Sequence, residues 1–133
     1  MKTIFLSLIL MLVFGIVVQL QAQTAERVSL RINKQKKLSR SKLTIKFVSL
    51  VEDSRCPTGT NCVWAGNATI KVKVSNARGE SKIFELNTNT GAKGDTLGGY
   101  QFTLETLTPH PANNIRIDRN GYTATFSVKK LSR

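Results

Sequence analysis

Apolar and polar residues alternate along most of the chain beyond residue 26, and this period of two is the pattern of strands with one buried face. The clearest example is 67–76, where Ala68, Ile70, Val72 and Val74 alternate with polar residues. In the second half of 42–53 apolar residues occupy both faces, which predicts a strand covered on both sides. The segments that predict strands are 27–33, 42–53, 67–76, 81–88, a segment that begins at Tyr100, 115–118 and 122–130.

The stretches between these segments are polar and predict turns and loops. Residues 34–42 form a basic stretch, which we expect to be a connection. Residues 87–99 hold four glycines and almost no apolar side chain, which predicts a mobile loop. Pro109 and Pro111 predict the end of the strand that begins at Tyr100, because proline cannot donate to a strand ladder.

The pattern predicts an all-β fold class. Beyond residue 22, no segment carries apolar residues at helical spacing over three turns. Six or seven short strands separated by turn signals indicate a single antiparallel β-sandwich, immunoglobulin-like in the loose sense. A small β-barrel is the alternative.

Residues 1–22 have the three parts of a secretory signal peptide, namely Lys2, an apolar run from Ile4 to Val18 and the small residue Ala22. The run is shorter than the about 20 residues that span a bilayer, so we expect cleavage after Ala22 and no membrane span afterwards. Residues 23–133 are then one domain. The sequence therefore predicts an exported protein, either periplasmic or secreted.

The chain is strongly basic, with 20 Lys and Arg against 8 Asp and Glu and a net charge of +12 at pH 7. Loss of residues 1–22 would remove only Lys2 and leave +11. Such a charge on a small domain favours an acidic polymer or an acidic protein as partner. Intracellular nucleic acid is not expected, because the protein is exported and its aromatic residues fall on core faces instead of being free to stack on bases. The candidate basic surface, on the outward strand positions, comprises Arg27, Arg31, Lys46, Lys71, Lys73 and Lys129.

The only two cysteines, Cys56 and Cys62, lie in the segment EDSRCPTGTNCVWAGNA at 52–68. An even number of cysteines in a small exported domain indicates a disulfide, and closing so short a loop stabilises the fold by roughly 2–2.5 kcal/mol. Metal, redox and nucleophilic roles are the alternatives. A zinc site needs about four ligands and a redox pair usually has the spacing C-x-x-C. A nucleophilic thiol needs a histidine base, and the sole histidine, His110, lies between two prolines.

The cysteine segment resembles that of a group of small, uncharacterised exported bacterial proteins. The resemblance is carried by the string from Glu52 to Pro57 and, four residues later, by the string from Cys62 to Ala68. The resemblance extends over about residues 28–130. It implies a bacterial β-domain that contains this disulfide. It implies no activity.

The cysteine loop has two interpretations, an architectural corner or a recognition surface. In the first, Trp64 covers the disulfide or an open end of the sandwich, and Asp53 and Arg55 form an ion pair or hold loop amides. In the second, the clamped loop 54–64 displays Arg55 and Trp64, since preorganised loops lose little entropy on binding and both residue types are favoured in interfaces. The candidate binding-loop residues are Asp53, Arg55 and Trp64.

Signals for catalysis are weak. No carboxylate pair suggests glycoside hydrolysis, no G-x-S-x-G motif is present, and no metal or cofactor is expected. The sequence therefore predicts an exported, non-enzymatic module that binds anionic envelope or extracellular partners. The alternative is a protein-recognition or protease-inhibitor module that uses loop 54–64.

Overall fold

The computed structural model describes residues 24–132, so the predicted signal peptide at 1–22 lies outside the described residues. This part of the chain is all β and contains no helix. Its eight strands are β1 (Glu26–Arg31), β2 (Gln35–Lys37), β3 (Thr44–Asp53), β4 (Ala68–Ser75), β5 (Ser81–Asn87), β6 (Gly94–Leu97), β7 (Tyr100–Thr108) and β8 (Thr123–Lys130).

The strands form two antiparallel sheets of four strands each. Sheet A has the order β1-β8-β7-β6, and sheet B has the order β2-β3-β4-β5. The sheets pack face to face in a sandwich-like fold and not in a closed barrel. The predicted all-β sandwich is therefore confirmed, and the alternative of a small barrel is wrong.

The core lies between the two sheets and follows the alternation read from the sequence. The inward residues of β4, from Ala68 to Val74, are all fully buried. Phe47 of sheet B and Phe102 and Phe126 of sheet A are the largest fully buried side chains. The rings of Phe84 and Phe102 meet edge to face with their centroids 4.8 Å apart, which joins β5 to β7 across the sandwich.

Three local predictions need correction. The basic stretch 34–42 contains the short edge strand β2, and the expected loop 87–99 contains the edge strand β6. Both pair with a neighbour along one edge and bury little, so no apolar pattern marks them. The predicted strand 115–118 does not form, and only an isolated bridge joins Ala112 to Ile115.

Two long connections lie together at one end of the sandwich. The β3–β4 connection (54–67) of sheet B and the β7–β8 connection (109–122) of sheet A emerge at this end, where a bridge joins Thr58 to Ala112. We call these two connections together the loop end. Among residues 24–132, no helix has the length and hydropathy that crossing a membrane requires.

Candidate functional site

The β3–β4 connection is closed by a disulfide between Cys56 and Cys62, whose Cα atoms are 5.9 Å apart. The separation lies within the usual range for a disulfide, and neither cysteine is free. The predicted disulfide is therefore confirmed. Within residues 24–132, no group of three or more His, Cys, Asp and Glu side chains could hold a metal ion.

Backbone contacts extend the pairing of β3 and β4 into this connection. The Ser54 amide donates to the Asn67 carbonyl at 2.7 Å, and the Cys56 amide donates to the Ala65 carbonyl at 2.8 Å. Gly66 has a φ of +75°, and a Cβ atom there would lie only 2.0 Å from the Ser54 carbonyl oxygen. Only glycine fits this close approach, so the sequence W-A-G-N at 64–67 shapes the entry to β4.

Asp53 and Arg55 form a buried, bidentate ion pair at the start of the loop end. Arg55 Nε donates to Asp53 Oδ1 at 2.8 Å, and Nη2 donates to Oδ2 at 2.7 Å. The same guanidinium donates to the carbonyl oxygens of Leu107 and Pro109 at 2.7 and 2.9 Å. The Tyr122 hydroxyl donates to Asp53 Oδ2 at 3.0 Å. Since Leu107 and Tyr122 belong to the side of sheet A, this cluster joins the two sheets.

The cluster shifts two ionisation equilibria. Burial alone would raise the pKa of Asp53, but the hydrogen bonds and positive charge of Arg55, helped by the Tyr122 hydroxyl, lower that pKa below its ordinary value. Burial and the adjacent Asp53 carboxylate raise the pKa of Tyr122. Asp53 is therefore held as a carboxylate and Tyr122 as a neutral phenol, which is the arrangement that the hydrogen bonds require.

The structure separates the candidate residues of loop 54–64 into buried and exposed ones. The predicted ion pair between Asp53 and Arg55 is confirmed. The expectation that the loop displays Arg55 is wrong, because Arg55 is only 8% exposed and its guanidinium is used by Asp53 and two carbonyl groups. Trp64 is 58% exposed, and its neighbour Val63 is fully exposed at 105%.

The two connections of the loop end are tied to each other by hydrogen bonds. The Thr58 amide donates to the Pro111 carbonyl at 2.9 Å, and His110 Nε2 donates to the Cys56 carbonyl at 2.9 Å. The Thr60 hydroxyl also contacts the Asn113 side chain. His110 is thus a positioning residue of the loop end, a role that its place between two prolines does not reveal.

Asn67 is a buried residue whose role the sequence analysis missed. Its side-chain oxygen accepts from the amides of Asn89 and Thr90 at 2.9 and 3.1 Å, and its amide nitrogen donates to Asn87 Oδ1 at 2.9 Å. These contacts fasten the β5–β6 connection to the start of β4. No signal in the sequence pattern identifies this role, because the partners lie about 20 residues away.

The candidate basic residues lie on outward faces, but on opposite sides of the molecule. Arg27, Arg31 and Lys129 belong to the outer face of sheet A, whereas Lys46, Lys71 and Lys73 belong to that of sheet B. On sheet A, Arg27 is paired with Glu105, with 3.1 Å between Nε and Oε2. The six residues therefore do not form one surface.

On sheet B the cations are concentrated. Lys46 of β3 is directly opposite Lys73 of β4, Lys71 follows two positions away on the same face, and Lys37 of β2 is diagonal to Lys46. We call Lys37, Lys46, Lys71 and Lys73 the lysine face. Lys71 Nζ lies 3.9 Å from Glu85 Oε1, while Lys46 and Lys73 form no ion pair within the described part of the chain.

A depression lies at the end of the sandwich opposite the loop end. It has a volume of about 220 Å³, and its lining includes Ser41, Asn76, Arg78 and Glu80. Small-molecule sites usually enclose about 300–1,000 Å³ and are mostly apolar. This depression is smaller and polar, so it does not have the character of such a site.

Comparisons with known proteins find no counterpart for this arrangement. The chain matches no family model, no curated protein and no solved structure.

Proposed function

We propose that this protein is an exported, non-enzymatic binding module whose lysine face holds an anionic polymer. The observation that carries the proposal is the placement of Lys46 directly opposite Lys73 on the outer face of sheet B. Directly opposite side chains in an antiparallel pair have Cβ atoms about 5 Å apart, and like charges in such a pair destabilise the sheet. A bound anion would relieve this repulsion.

The surroundings of the two lysines leave their charge unbalanced. The row across sheet B runs from Gln35 through Lys46 and Lys73 to Ile83, so neither neighbour in the row carries a negative charge. Glu85 is nearer to Lys71, which it opposes across the β4–β5 pair. The lysine face is thus a positive patch on a protein whose net charge is +11 without residues 1–22, and both features attract polyanions over distance.

The shape of the lysine face favours a polymer over a small anion. The four lysines lie on the outer surface of a sheet and not in a cavity, so a single small anion would contact only one or two of them. A chain of regularly spaced negative charges can contact several ammonium groups at once and release several counterions, which makes binding strong and salt-dependent.

The outer face of sheet A supports such binding less well. Arg27 is neutralised by Glu105, and hydroxyl groups separate its remaining cations, with Ser29 Oγ and Thr125 Oγ1 hydrogen-bonded at 2.8 Å. Arg31 is opposite Thr123, and Lys129 is opposite Gln101. This face therefore serves as an internal control that carries the same type of charge in a dispersed arrangement.

The experiment measures the affinity for long-chain inorganic polyphosphate as a function of salt concentration for two double variants. The variant K46Q/K73Q removes the juxtaposed pair, and R31Q/K129Q removes the same charge from sheet A. We expect K46Q/K73Q to weaken binding at least about tenfold and to reduce the slope of log K against log salt by about 1–2. The control R31Q/K129Q should change the affinity by less than about threefold.

Two results would contradict the proposal. Equal losses in both double variants would mean that net charge alone attracts the polymer. Elution of the wild-type protein from polyphosphate at low salt, well below physiological ionic strength, would mean that the charge serves solubility only.

Export is part of the proposal and is supported by the Cys56–Cys62 disulfide, since disulfides persist in oxidising compartments. N-terminal sequencing of the protein recovered from an expressing bacterial culture tests it. We expect a mature chain that begins at Gln23, outside the cytoplasm. An intact chain that begins at Met1 in the cytoplasm would contradict export without affecting the lysine face.

A further inference from the structure

The loop end presents apolar side chains to solvent in a rigid frame. Val63 is 105% exposed and Trp64 is 58% exposed, directly after the disulfide at Cys62. Ile115, on the other connection, is 58% exposed. Single exposed apolar residues are ordinary, but here three large ones lie on two connections that are hydrogen-bonded to each other.

The frame around these residues requires little ordering on binding. The disulfide closes the loop at its tip, and Arg55 and His110 hold its base against the β7–β8 connection. Val63 is 105% exposed, so no other part of the protein covers its side chain. Uncovered apolar side chains on a base held by a disulfide and hydrogen bonds are suited to insertion into a surface.

We propose that the loop end docks on an anionic lipid bilayer, with Val63 and Trp64 inserted at the boundary between headgroups and acyl chains. This surface is separate from the lysine face, and the inference does not rest on polymer binding. Tryptophan favours the membrane interface because its ring is apolar and its N–H remains within reach of polar groups. A bilayer, unlike a protein pocket, accommodates apolar groups from two separate connections without a matching shape.

Charge favours an anionic bilayer over a neutral one. The β7–β8 connection carries the exposed residues Arg116 and Arg119, with Asp118 between them, and the exposed Glu52 is the penultimate residue of β3. The local charges of the loop end thus nearly cancel, so the attraction comes from the net charge of the whole protein, which is +11 without residues 1–22. Acidic lipids attract basic residues near their surface, and that attraction weakens with added salt.

Trp64 is the only tryptophan of the chain and is itself the probe. The experiment follows its fluorescence emission, and its quenching by acrylamide, when the disulfide-intact protein is mixed with phosphatidylglycerol–phosphatidylcholine vesicles. We expect a shift to shorter wavelength and reduced quenching. Vesicles of phosphatidylcholine alone should produce a much smaller effect.

Two matched substitutions locate the contact by co-sedimentation with the same vesicles. V63S removes an inserted apolar group and should weaken binding about tenfold or more, because burial of one aliphatic side chain changes a partition constant by that amount. I83S removes an equally apolar, 58% exposed residue from the outer face of sheet B and should leave binding unchanged. Val63 is fully exposed, so V63S is expected to fold normally.

The outcomes separate this inference from the proposed function. Vesicle binding without a change in Trp64 emission, and without sensitivity to V63S, would mean that the lysine face holds the vesicles, and it would overturn docking by the loop end. Absence of vesicle binding would also overturn docking by the loop end. The same holds if a protein partner, and not the vesicles, shifts the Trp64 emission. In neither case does the result for polyphosphate change.

Discussion

The Arg55 guanidinium and the Asp53 carboxylate form two parallel hydrogen bonds, of 2.8 Å from Nε to Oδ1 and of 2.7 Å from Nη2 to Oδ2. Both side chains are almost fully buried, at 7% exposure each. Because Arg55 also donates to Leu107 and Pro109, this one pair connects the β3–β4 connection of sheet B to the end of β7 in sheet A. The integrity of the loop end therefore depends on two residues that are almost fully buried.

Loss of Arg55 should destabilise the protein strongly. Arg55→Met leaves the buried Asp53 carboxylate without its partner, and removal of one member of a buried pair costs about 3–5 kcal/mol. Urea denaturation measures the change in the free energy of unfolding. Arg27→Met is the control, because the pair of Arg27 with Glu105 is exposed on one side and should contribute about 0–1 kcal/mol. Similar losses for both variants would contradict the cross-sheet role of Arg55.

Asp53 should make stability fall in acid. Its pKa is lowered in the folded state, so at low pH the unfolded chain binds a proton before the folded one does. The contribution is complete above the ordinary pKa of 3.8 and is lost as the pH falls through the folded value. Urea midpoints measured at decreasing pH should decline less steeply for Asp53→Asn than for the wild-type protein. Superimposable acid profiles would show that Asp53 does not titrate in this way.

Two glycines with positive φ should respond differently to alanine. At Gly66 a Cβ atom would collide with backbone, 2.0 Å from the Ser54 oxygen, whereas at Gly79 nothing lies within 4 Å. Gly79→Ala should cost only the strain of the left-handed region, about 1–2 kcal/mol. Gly66→Ala must in addition displace the strand end at Ser54, and we expect a clearly larger loss of thermal stability. Equal losses would mean that the close approach of residue 66 to the Ser54 backbone adds nothing to the cost of the positive φ.

Lys73 should reduce stability in the free protein. Lys73→Gln removes the repulsion with Lys46 and is expected to raise the free energy of unfolding by about 0.2–1 kcal/mol. Lys71→Gln is the matched control on the same strand and face, and it should not stabilise because Lys71 has Glu85 beside it. Chemical denaturation at low salt gives both values. A destabilised Lys73→Gln variant would contradict the repulsion between Lys46 and Lys73 from which anion binding is inferred.

The fold was predictable from the sequence wherever one face of a strand is buried. The alternation of apolar residues located β4 to within a residue at each end, because every second side chain enters the core. It missed β2 and β6, because an edge strand needs only backbone hydrogen bonds to one neighbour. The residues Gln35–Lys37 of β2 are all exposed and carry no apolar signal.

The candidate site was predictable only in part, for a related reason. The disulfide and the Asp53–Arg55 pair are local in sequence, and both were anticipated. The burial of Arg55 depends on the carbonyl group of Leu107, 52 residues away, which no local pattern encodes. The concentration of lysines on sheet B likewise depends on the register that places Lys46 against Lys73.

The most direct test of the lysine face is a lysine-acetylation footprint of the protein in the presence and absence of saturating polyphosphate, read by mass spectrometry. The account predicts that Lys46, Lys71 and Lys73 become protected from acetylation while Lys129 and Lys130, on sheet A, react as before. Uniform protection of lysines on both sheets, or none on sheet B, would contradict it.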